Sequence, residues 1–381
     1  MSDIYAYGRE QIIYVKEEAA DAYGILVHSA GTDAIKVLSC NFTSAQERKD
    51  RLEKGVSRSI ISRFTGRKTA DFSIEKYVLP SGAKGTKPDD ALLWEALFGK
   101  EEIHMDTSVD YILLAEPSIS LSIFNDIGPH REALCGAVPS KLSLKFGGGD
   151  EPKVTFSGEA KDHYLCGSGT LAEDATATAT ITVNDARQFA AGMLIKVGDD
   201  DNSAAGFTIN SINYDDNELT LNAQVADEDT GAAVVPLPLT PTTTGDVMPV
   251  IIGNVKIGTP EILITGCGFD IDQKIALRND EFGSASARGF RHPEFREVTC
   301  SLDLYFEKDA AKWLNDAKRF TAQDIEVNLG DTEGYKMEID ANQVEFEIPK
   351  VDVPDNAECT ITLTGKCLGS SGEDEIVMKF L

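Results

Sequence analysis

The chain has 381 residues, and its 63 acidic residues outnumber its 36 basic ones for a net charge of −27. So acidic a protein repels nucleic acid in general, which argues against a nucleic-acid-binding protein. The sequence lacks both the long apolar run of a membrane-spanning helix and the basic-then-apolar start of a secretory signal. We expect two or three globular domains, without a membrane partner, that stay in the cytoplasm until the protein assembles.

Short segments of β type dominate the first 166 residues, and most alternate between apolar and polar side chains. One helix is predicted over 91–98, because Asp89 or Asp90 can cap its start and Gly99 can stop it. A glycine-rich turn is predicted at 147–150. The predicted strands are 111–124, 141–146 and 153–157.

A segment of different composition, roughly 167–245, follows. Its entry at 167–170 and its Pro/Thr-rich exit at 236–244 have linker compositions. Twelve acidic and two basic residues give the segment a net charge of −10. We predict a small, exposed all-β module, whose last two strands form a hairpin. Its predicted strands are 175–183, 193–197, 207–214 and 218–225.

The last part of the chain returns to the first pattern of short strands and one helix. The helix is predicted from about 309 to 320, and its apolar stripe holds Ala310, Trp313, Leu314 and Ala317. The predicted strands here are 343–348 and 359–363.

The two ends of the chain are weak copies of each other. Two short matches lie 227 and 228 residues apart, and each half then carries one tryptophan in its predicted helix, Trp94 or Trp313. Near-constant offsets and the same order of elements predict a duplicated domain. The matched segments are 40–42 with 267–269, 73–78 with 301–306, and 154–158 with 361–365.

Alternation in the second matched pair places a serine, a carboxylate and a tyrosine on one face of the strand in both halves. The two carboxylates are Glu75 and Asp303. If this strand lines a pore, the repeated carboxylate forms a ring of negative charge. An ordinary solvent-exposed face explains the pattern equally well.

A segment that we call the arm precedes each of these strands. The first arm, 48–68, has a net charge of +6, and the second arm, 274–297, has a net charge of +1. Phe64 is the first arm's one aromatic residue, so the arm has few side chains on which nucleic-acid bases could stack. Docking on the acidic surface of a neighbouring copy is therefore favoured over nucleic-acid binding. We assign this contact to Arg48, Arg51, Arg58, Arg63, Arg67 and Lys68 of the first arm and to Arg278, Arg288 and Arg291 of the second.

No motif predicts catalysis or a cofactor. The five histidines are widely spaced, and neither a nucleophile elbow nor a phosphate-binding loop occurs. The acidic run 199–201 lacks the spaced ligands of an EF-hand, so an acidic loop is favoured over a calcium site. The seven cysteines are expected to be buried free thiols, with a crosslink between subunits as the alternative. We therefore predict neither an enzyme nor a metalloprotein.

These segments resemble the phage tail tube proteins, also called major tail proteins, of long-tailed bacteriophages. In the first half, the resemblance lies in an arm, a strand and a helix that ends in Phe-Gly. In the second half, it lies in Asn328-Leu329-Gly330 and in the segments around Gly334 and Pro349. The resembling segments are 55–68, 72–80, Gly82 and 92–99, then 328–330, Gly334, Pro349 and 372–376.

The resemblance implies a mainly β protein with two tandem tail-tube domains, each a β-sandwich or barrel with one flanking helix, at 1–166 and 246–381. The module 167–245 is then a small all-β insertion. Family members stack rings around a channel through which DNA passes transiently, and they carry no catalytic residues. Two domains per chain imply homotrimeric, pseudo-hexameric rings in the virion tail. The implied partners are further copies of the chain, the tail terminator, the tape measure and, in contractile tails, a sheath.

A second hypothesis makes the chain a surface decoration protein that recognises a glycan or a receptor through the module 167–245. The two hypotheses differ in what removal of the module abolishes. A binding role predicts loss of ligand with polymerisation intact.

Overall fold

The protein is described here by a computed structural model. Its described residues form a mainly antiparallel β structure with two α-helices, α1 (Ala91–Phe98) and α2 (Ala310–Lys318). The predicted fold class, mainly β with few helices, is confirmed. Three short 3-10 helices lie at Gly8–Glu10, Gly31–Asp33 and Ala186–Gln188. The described residues are 7–52, 59–60, 62–248, 253–307, 310–355 and 358–381.

The strands fall into three groups along the chain. The first is β1 (Gln11–Glu17), β2 (Ala34–Ile35), β3 (Ser39–Asp50), β4 (Arg63–Tyr77), β5 (Gly99–His104), β6 (Ser108–Leu113), β7 (Leu121–Ile127), β8 (His130–Gly147), β9 (Lys153–Ala160) and β10 (Asp162–Cys166). The second is β11 (Gly169–Thr170), β12 (Ala175–Thr182), β13 (Leu194–Val197), β14 (Phe207–Asn213), β15 (Glu218–Glu228) and β16 (Ala233–Pro236). The third is β17 (Asn254–Ile257), β18 (Glu261–Ile262), β19 (Ile264–Asp272), β20 (Ala276–Leu277), β21 (Phe290–Arg291), β22 (Glu297–Tyr305), β23 (Gln323–Leu329), β24 (Met337–Phe346), β25 (Val351–Asp352), β26 (Thr360–Cys367) and β27 (Val377–Phe380).

One antiparallel sheet runs through both ends of the chain in the order β3, β4, β9, β8, β19, β22, β26. Strand β8 makes this continuity possible because it is long enough to change partners. Its first part pairs with β7 and β10, and its last part pairs with β9 and β19. We call the pairing of Lys141–Gly147 with Gly266–Asp272 the internal seam.

The segments that match in sequence occupy matching positions in this sheet. In the first half, β4 lies between β3 and β9. In the second half, the matching strand β22 lies between β19 and β26, which match β3 and β9. The paired residues are Cys40, Ile74 and Phe156 in the first half, and Cys267, Leu302 and Leu363 in the second. The two halves therefore share strand order and register in this part of the sheet.

The two helices are unequally buried. In α1, six of the eight side chains are buried, including Leu93 and Trp94. In α2, the described buried side chains are Trp313 and Ala317. The predicted apolar stripe of α2 thus includes two buried residues and the partly buried Leu314, while the side chain of Ala310 lies outside the described residues.

The ends of α1 test two predictions. Gly99 has φ 92°, and its N–H donates to the Glu95 carbonyl, so the predicted stop is confirmed. The predicted cap is wrong, because the Asp90 side chain makes no capping hydrogen bond. Asp89 instead accepts hydrogen bonds from the N–H and the hydroxyl of Thr244, both at 2.6 Å.

One strand prediction in the first half is also wrong. The segment 111–124 was expected to be a single strand, but its two ends lie in β6 and β7, separated by residues 114–120. Pro117 lies in this break, and a proline cannot donate to a sheet hydrogen bond. The sequence from 141 to 157 behaves as predicted, with strands on both sides of a turn in which the Asp150 N–H donates to Gly147.

The module predicted at 167–245 holds a separate six-stranded sheet in the order β11, β16, β13, β14, β15, β12. The predicted hairpin is present as β14 and β15, and Asn217 in its turn has φ 55°. The module's apolar side chains form one cluster with Tyr14 and Phe124 of the first half. Its exit segment also contacts the first half, because the Thr242 N–H donates to the Gly31 carbonyl at 2.8 Å.

Candidate assembly surfaces

The continuous sheet has one apolar face, which lies in the core, and one polar face. Glu75 and Asp303 both lie on the polar face. The Ser39 hydroxyl donates to Glu75 at 3.4 Å, and the Thr362 hydroxyl donates to Asp303 at 2.6 Å. The sheet therefore brings the two predicted carboxylates onto one surface, although on strands that are not neighbours.

The register also gives the stagger between the two halves. A row of directly paired residues that starts at Glu75 reaches Thr299 on β22. Asp303, the residue equivalent to Glu75, lies four residues further along β22. The second half is thus shifted by four residues along the strands relative to the first. The row is Glu75, Thr155, Ser143, Asp270 and Thr299.

The rest of the polar face carries hydroxyls and charges of both signs. Its carboxylates outnumber its lysines, but the lysines are interspersed, and Lys141 lies 3.2 Å from Asp272. The face is therefore mildly acidic rather than uniformly negative. Its carboxylates are Asp71, Glu75, Glu159, Asp270, Asp272, Glu297 and Asp303, and its lysines are Lys141, Lys145, Lys153 and Lys366.

The first arm is an exposed extension of the β3–β4 hairpin. Arg48, Arg51 and Arg63 are exposed, and Arg67 and Lys68 are half-buried. Part of the charge is paired, because the Arg63 guanidinium lies 2.6 Å from the Asp50 carboxylate, and the Lys68 ammonium lies 3.1 Å from the Asp162 carboxylate. Arg58 lies outside the described residues. The hairpin thus brings together the five described cations that the sequence assigned to this arm.

The second arm has a different structure. It folds back on the first half, where the Leu277 N–H donates to Glu159 at 3.3 Å and the ring of Phe290 lies 5.8 Å from that of Tyr23. Its predicted basic residues, Arg278, Arg288 and Arg291, are exposed. The last two have acidic partners within the arm, Glu281 for Arg288 at 4.0 Å and Asp280 for Arg291 at 3.4 Å.

Two exposed aromatic residues of the second arm were not predicted from the sequence. Phe282 is 100% exposed and Phe295 is 98% exposed. Large aromatic side chains are seldom left fully exposed, so both are candidates for contacts with another chain. Their isolation among polar residues was the available signal. The second arm therefore presents two fully exposed aromatic groups in addition to its exposed arginines, and the first arm, besides its cations, exposes Leu52 and Phe64.

The junction between the halves is held by polar contacts as well as by strand pairing. The Gln273 side chain, 2% exposed, donates to the carbonyl of Leu97 in the last turn of α1 at 2.8 Å. Arg296 bonds both carboxylate oxygens of Glu375, at 2.9 and 2.7 Å, and donates to the Leu114 carbonyl. A buried amide and a bidentate ion pair fix the geometry of this junction.

A buried ion pair distinguishes the first half. The Lys76 ammonium lies 2.6 Å from the Asp90 carboxylate, and both side chains are at most 2% exposed. The Trp94 indole N–H donates to the same carboxylate oxygen at 2.9 Å. Lys76 lies on the apolar face of β4, where the second half has Leu304. Alternation along β4 places Lys76 between the core residues Ile74 and Val78, but no local pattern indicates its partner Asp90.

The described residues include no group of three or more His, Cys, Asp or Glu side chains that could hold a metal ion. In the acidic run 199–201, Asp200 accepts hydrogen bonds from the N–H groups of Asn202 and Ala226, both at 2.9 Å. The seven cysteines are free, and six are buried, as predicted. Burial raises the pKa of the Cys40 thiol to about 12, so this thiol is poorly reactive.

No helix in the described part of the chain has the length and the apolar character needed to cross a membrane.

Residues 215–366 match the family model of the phage tail tube protein. No curated protein matches the chain. The resemblance seen in the sequence is thus confirmed for the second half, and the match also begins within the module 167–245. It supports a structural protein of the tail tube in a bacteriophage virion.

Proposed function

We propose that this chain, with the phage tail tube region at 215–366, builds the tube as stacked rings of three copies. Each copy contributes two tube domains, 1–166 and 246–381, so that a ring holds six. The equivalent register of the paired residues in the two halves carries this proposal. The two halves have the same strand order and are joined edge to edge by the internal seam. A ring forms when this edge-to-edge arrangement repeats from chain to chain.

Barrel geometry supports a channel of useful width. Each tube domain supplies four neighbouring strands to the sheet, β3, β4, β9 and β8 in the first half. Six domains then give a closed barrel of twenty-four strands, and the shift of four residues per domain tilts them. Strands about 4.8 Å apart and tilted by about 40° make a barrel roughly 50 Å across its backbone. Side chains narrow this bore, but a DNA duplex passes through.

The polar face of the sheet lines this bore in our proposal, and Glu75 and Asp303 face the channel. A surface with more carboxylates than lysines holds no DNA backbone firmly, so DNA passes as transient cargo during ejection. The field of these charges reaches about 8 Å at physiological salt, so only groups that face the bore act on the DNA. Interspersed lysines moderate the repulsion.

The two arms contact other copies of the chain in this arrangement. The cations of the first arm, Arg58 included, dock on acidic surfaces of a neighbouring ring, where opposite charges set the register of stacking. The exposed Phe282 and Phe295 of the second arm add apolar contact area. Both arms therefore serve assembly, the first through charge and the second through apolar burial.

Further tail proteins complete the assembly. Tubes end on a terminator, are measured by a tape-measure protein and, in contractile tails, are covered by a sheath. Rings form in the host cytoplasm and remain in the virion. The module 167–245, which forms its own sheet and packs on Tyr14 and Phe124 of the first half, decorates the outside of the tube. Catalysis has no part in this function.

Negative-stain electron microscopy of the purified chain tests the proposal. We expect stacked rings or tubes with a pseudo-sixfold outline, and a stable monomer at high concentration contradicts the proposal. A variant without 167–245 tests the role of the module. Tubes that form without it support decoration, whereas loss of tubes together with folding makes the module structural. Loss of a receptor or glycan ligand with tubes intact favours surface recognition.

A further inference from the structure

The chain ends the continuous sheet on two open edges. Among the described residues, β3 pairs only with β4, and β25 pairs only with β26. An unpaired strand edge is a template for a strand of another chain. Apolar side chains beside the β25 edge are exposed, with Val353 at 71% and Ile348 at 63%. Both edges are therefore suited to a partner strand.

The internal seam shows what such an edge does when it is occupied. Strand β3 corresponds to β19, because Cys40 and Phe42 match Cys267 and Phe269 in sequence and in register. The segment 348–354 corresponds to 141–147 at the end of β8. Leu144 pairs with Val154 on β9, and Val351 pairs with Ile361, the residue equivalent to Val154. The two open edges are thus the equivalents of the two strands that meet in the internal seam.

We propose that β3 of one chain pairs antiparallel with 348–354 of a second copy, in the register of the internal seam. In the internal seam, Phe269 lies opposite Leu144, so Phe42 lies opposite Val351 of the second copy. By the same equivalence, Cys40 lies opposite Val353, and Asn41 lies opposite Asp352. This inference rests on the proposed function and names the surface through which a ring of three chains closes.

Burial at equivalent positions supports the pairing. Phe146, in the internal seam, is 6% exposed, whereas its equivalent Val353 is 71% exposed. The alternation also matches, because the core positions Leu142, Leu144 and Phe146 correspond to Pro349, Val351 and Val353. The open edge thus has the apolar pattern of a covered one.

A second pair of equivalent residues points to the same surface. Gln46 follows Cys40 by six residues, as Gln273 follows Cys267. Gln273 is buried and caps the last turn of α1 across the internal seam, whereas Gln46 is exposed. In the proposed contact, the Gln46 amide reaches the last turn of α2 in the second copy. The exposed glutamine therefore has a defined acceptor in the ring.

Features of the open edges guard them before assembly. The Gln11 side chain accepts from the Cys40 N–H at 3.3 Å and donates to the Cys40 carbonyl at 2.8 Å, as a neighbouring main chain would. Pro349 and Pro354 flank β25 on the other edge, and prolines there discourage uncontrolled pairing. In the ring, the main chain at Val353 of the second copy replaces the Gln11 amide.

Disulfide formation tests the register. Asn41 and Asp352 form a non-hydrogen-bonded pair in the proposed contact, with Cα atoms about 4.5 Å apart, which suits a disulfide. We expect Asn41→Cys with Asp352→Cys to give covalent trimers on non-reducing gels after mild oxidation. Asn41→Cys with Lys350→Cys, displaced by two residues, should crosslink at least tenfold less. Lys145→Cys with Gly268→Cys, the equivalent pair of the internal seam, is the control and should crosslink within one chain.

The outcomes separate this inference from the proposed function. Rings on the grid with equal or stronger crosslinking in the displaced pair overturn the register and leave the tube intact. Absence of rings from the unmodified chain overturns the proposed function itself.

Gln46→Ala gives a second readout that needs no new cysteine. We expect the concentration at which rings dissociate to rise about tenfold, with the melting temperature of the isolated chain unchanged. Gln273→Ala, the matched variant, should lower that melting temperature, because it leaves the buried Leu97 carbonyl without its donor. Rings of unchanged stability in Gln46→Ala contradict the proposed contact.

Discussion

The helices α1 and α2 follow equivalent strands in the two halves, yet they differ in their surroundings. Trp94 of α1 is fully buried and packs on Phe156 and Phe380, with ring centroids 5.1 and 5.6 Å away. Trp313 of α2 is 8% exposed, and the Lys312 ammonium lies over its ring, 5.1 Å from the ring centroid. The first helix is enclosed in a complete core, and the second lies at its margin.

The difference comes from what the other half contributes. Phe380 belongs to the C-terminal strand β27, which pairs with β6 of the first half. Gln273, which follows β19, donates a hydrogen bond to the Leu97 carbonyl in the last turn of α1. For α2, a groove beside the helix is lined by Leu263, which is 78% exposed, and by Tyr305. The second half thus contributes to the surroundings of α1, whereas the groove beside α2 is open to solvent in the single chain.

A large effect on stability is expected at the buried Lys76–Asp90 ion pair of the first half. Asp90→Ala leaves Lys76 charged and buried without its partner, so we expect the free energy of unfolding to fall by about 3–5 kcal/mol. Urea unfolding measures this loss. Lys76→Leu with Asp90→Asn gives the first half the leucine of the second at Leu304 and should recover most of the stability. If Asp90→Ala alone is as stable as the unmodified chain, this role of the ion pair is contradicted.

The next effect compares the two tryptophans. Trp94→Ala should lower the free energy of unfolding by about 3–5 kcal/mol, because it empties a site enclosed on all sides. Trp313→Ala should cost at least ~1 kcal/mol less in the isolated chain, since its site is more open to solvent. Thermal unfolding of both variants checks the difference. Equal losses of stability mean that the two tryptophan sites are equally enclosed.

A smaller effect on folding, but a clear one on assembly, is expected for the arms. Arg63→Glu with Arg67→Glu reverses charge on the exposed first arm, so we expect shorter tubes in electron micrographs and a change in stability within about 0.5 kcal/mol. Arg288→Glu with Arg291→Glu in the second arm is the matched control and should shorten tubes less. Unchanged tube length in the first variant removes the docking proposal.

The smallest effect on stability is expected on the polar face. Glu75→Lys with Asp303→Lys should change the free energy of unfolding by no more than about 0.5 kcal/mol, since both are surface changes. The added positive charge should slow DNA ejection. Added salt should reduce that delay, because it screens the new attraction. Glu75→Gln with Asp303→Asn removes the charge without reversing it and should delay ejection less. Ejection at the normal rate in the lysine variant places these residues away from the channel.

Local features were predictable, and long-range ones were not. Gly99 was identified as the stop of α1 because a left-handed residue at a helix end favours glycine. The hairpin β14–β15 was identified from its turn residues. The pairing of β8 with β19 joins residues more than a hundred positions apart, and no local pattern specifies it. Asp90 was misassigned because its capping preference is local, whereas its partner Lys76 is distant in sequence.

The same limit applies to the assembly surfaces. Alternation predicted that Glu75 and Asp303 lie on the corresponding face of their strands. The shift of four residues between them along the sheet is given only by the strand register. The cations of the first arm were visible as a run of charge. The fold of the second arm onto Glu159 depends on contacts with the first half, so composition alone did not indicate it.

The number of chains in one ring tests the central claim most directly. Electron cryomicroscopy of assembled tubes gives this number from the symmetry of the reconstruction and from the density of the module 167–245. Our account predicts three chains per ring, with sixfold-like density at the bore and threefold density outside. A ring of six chains, each placing only one domain at the bore, contradicts it.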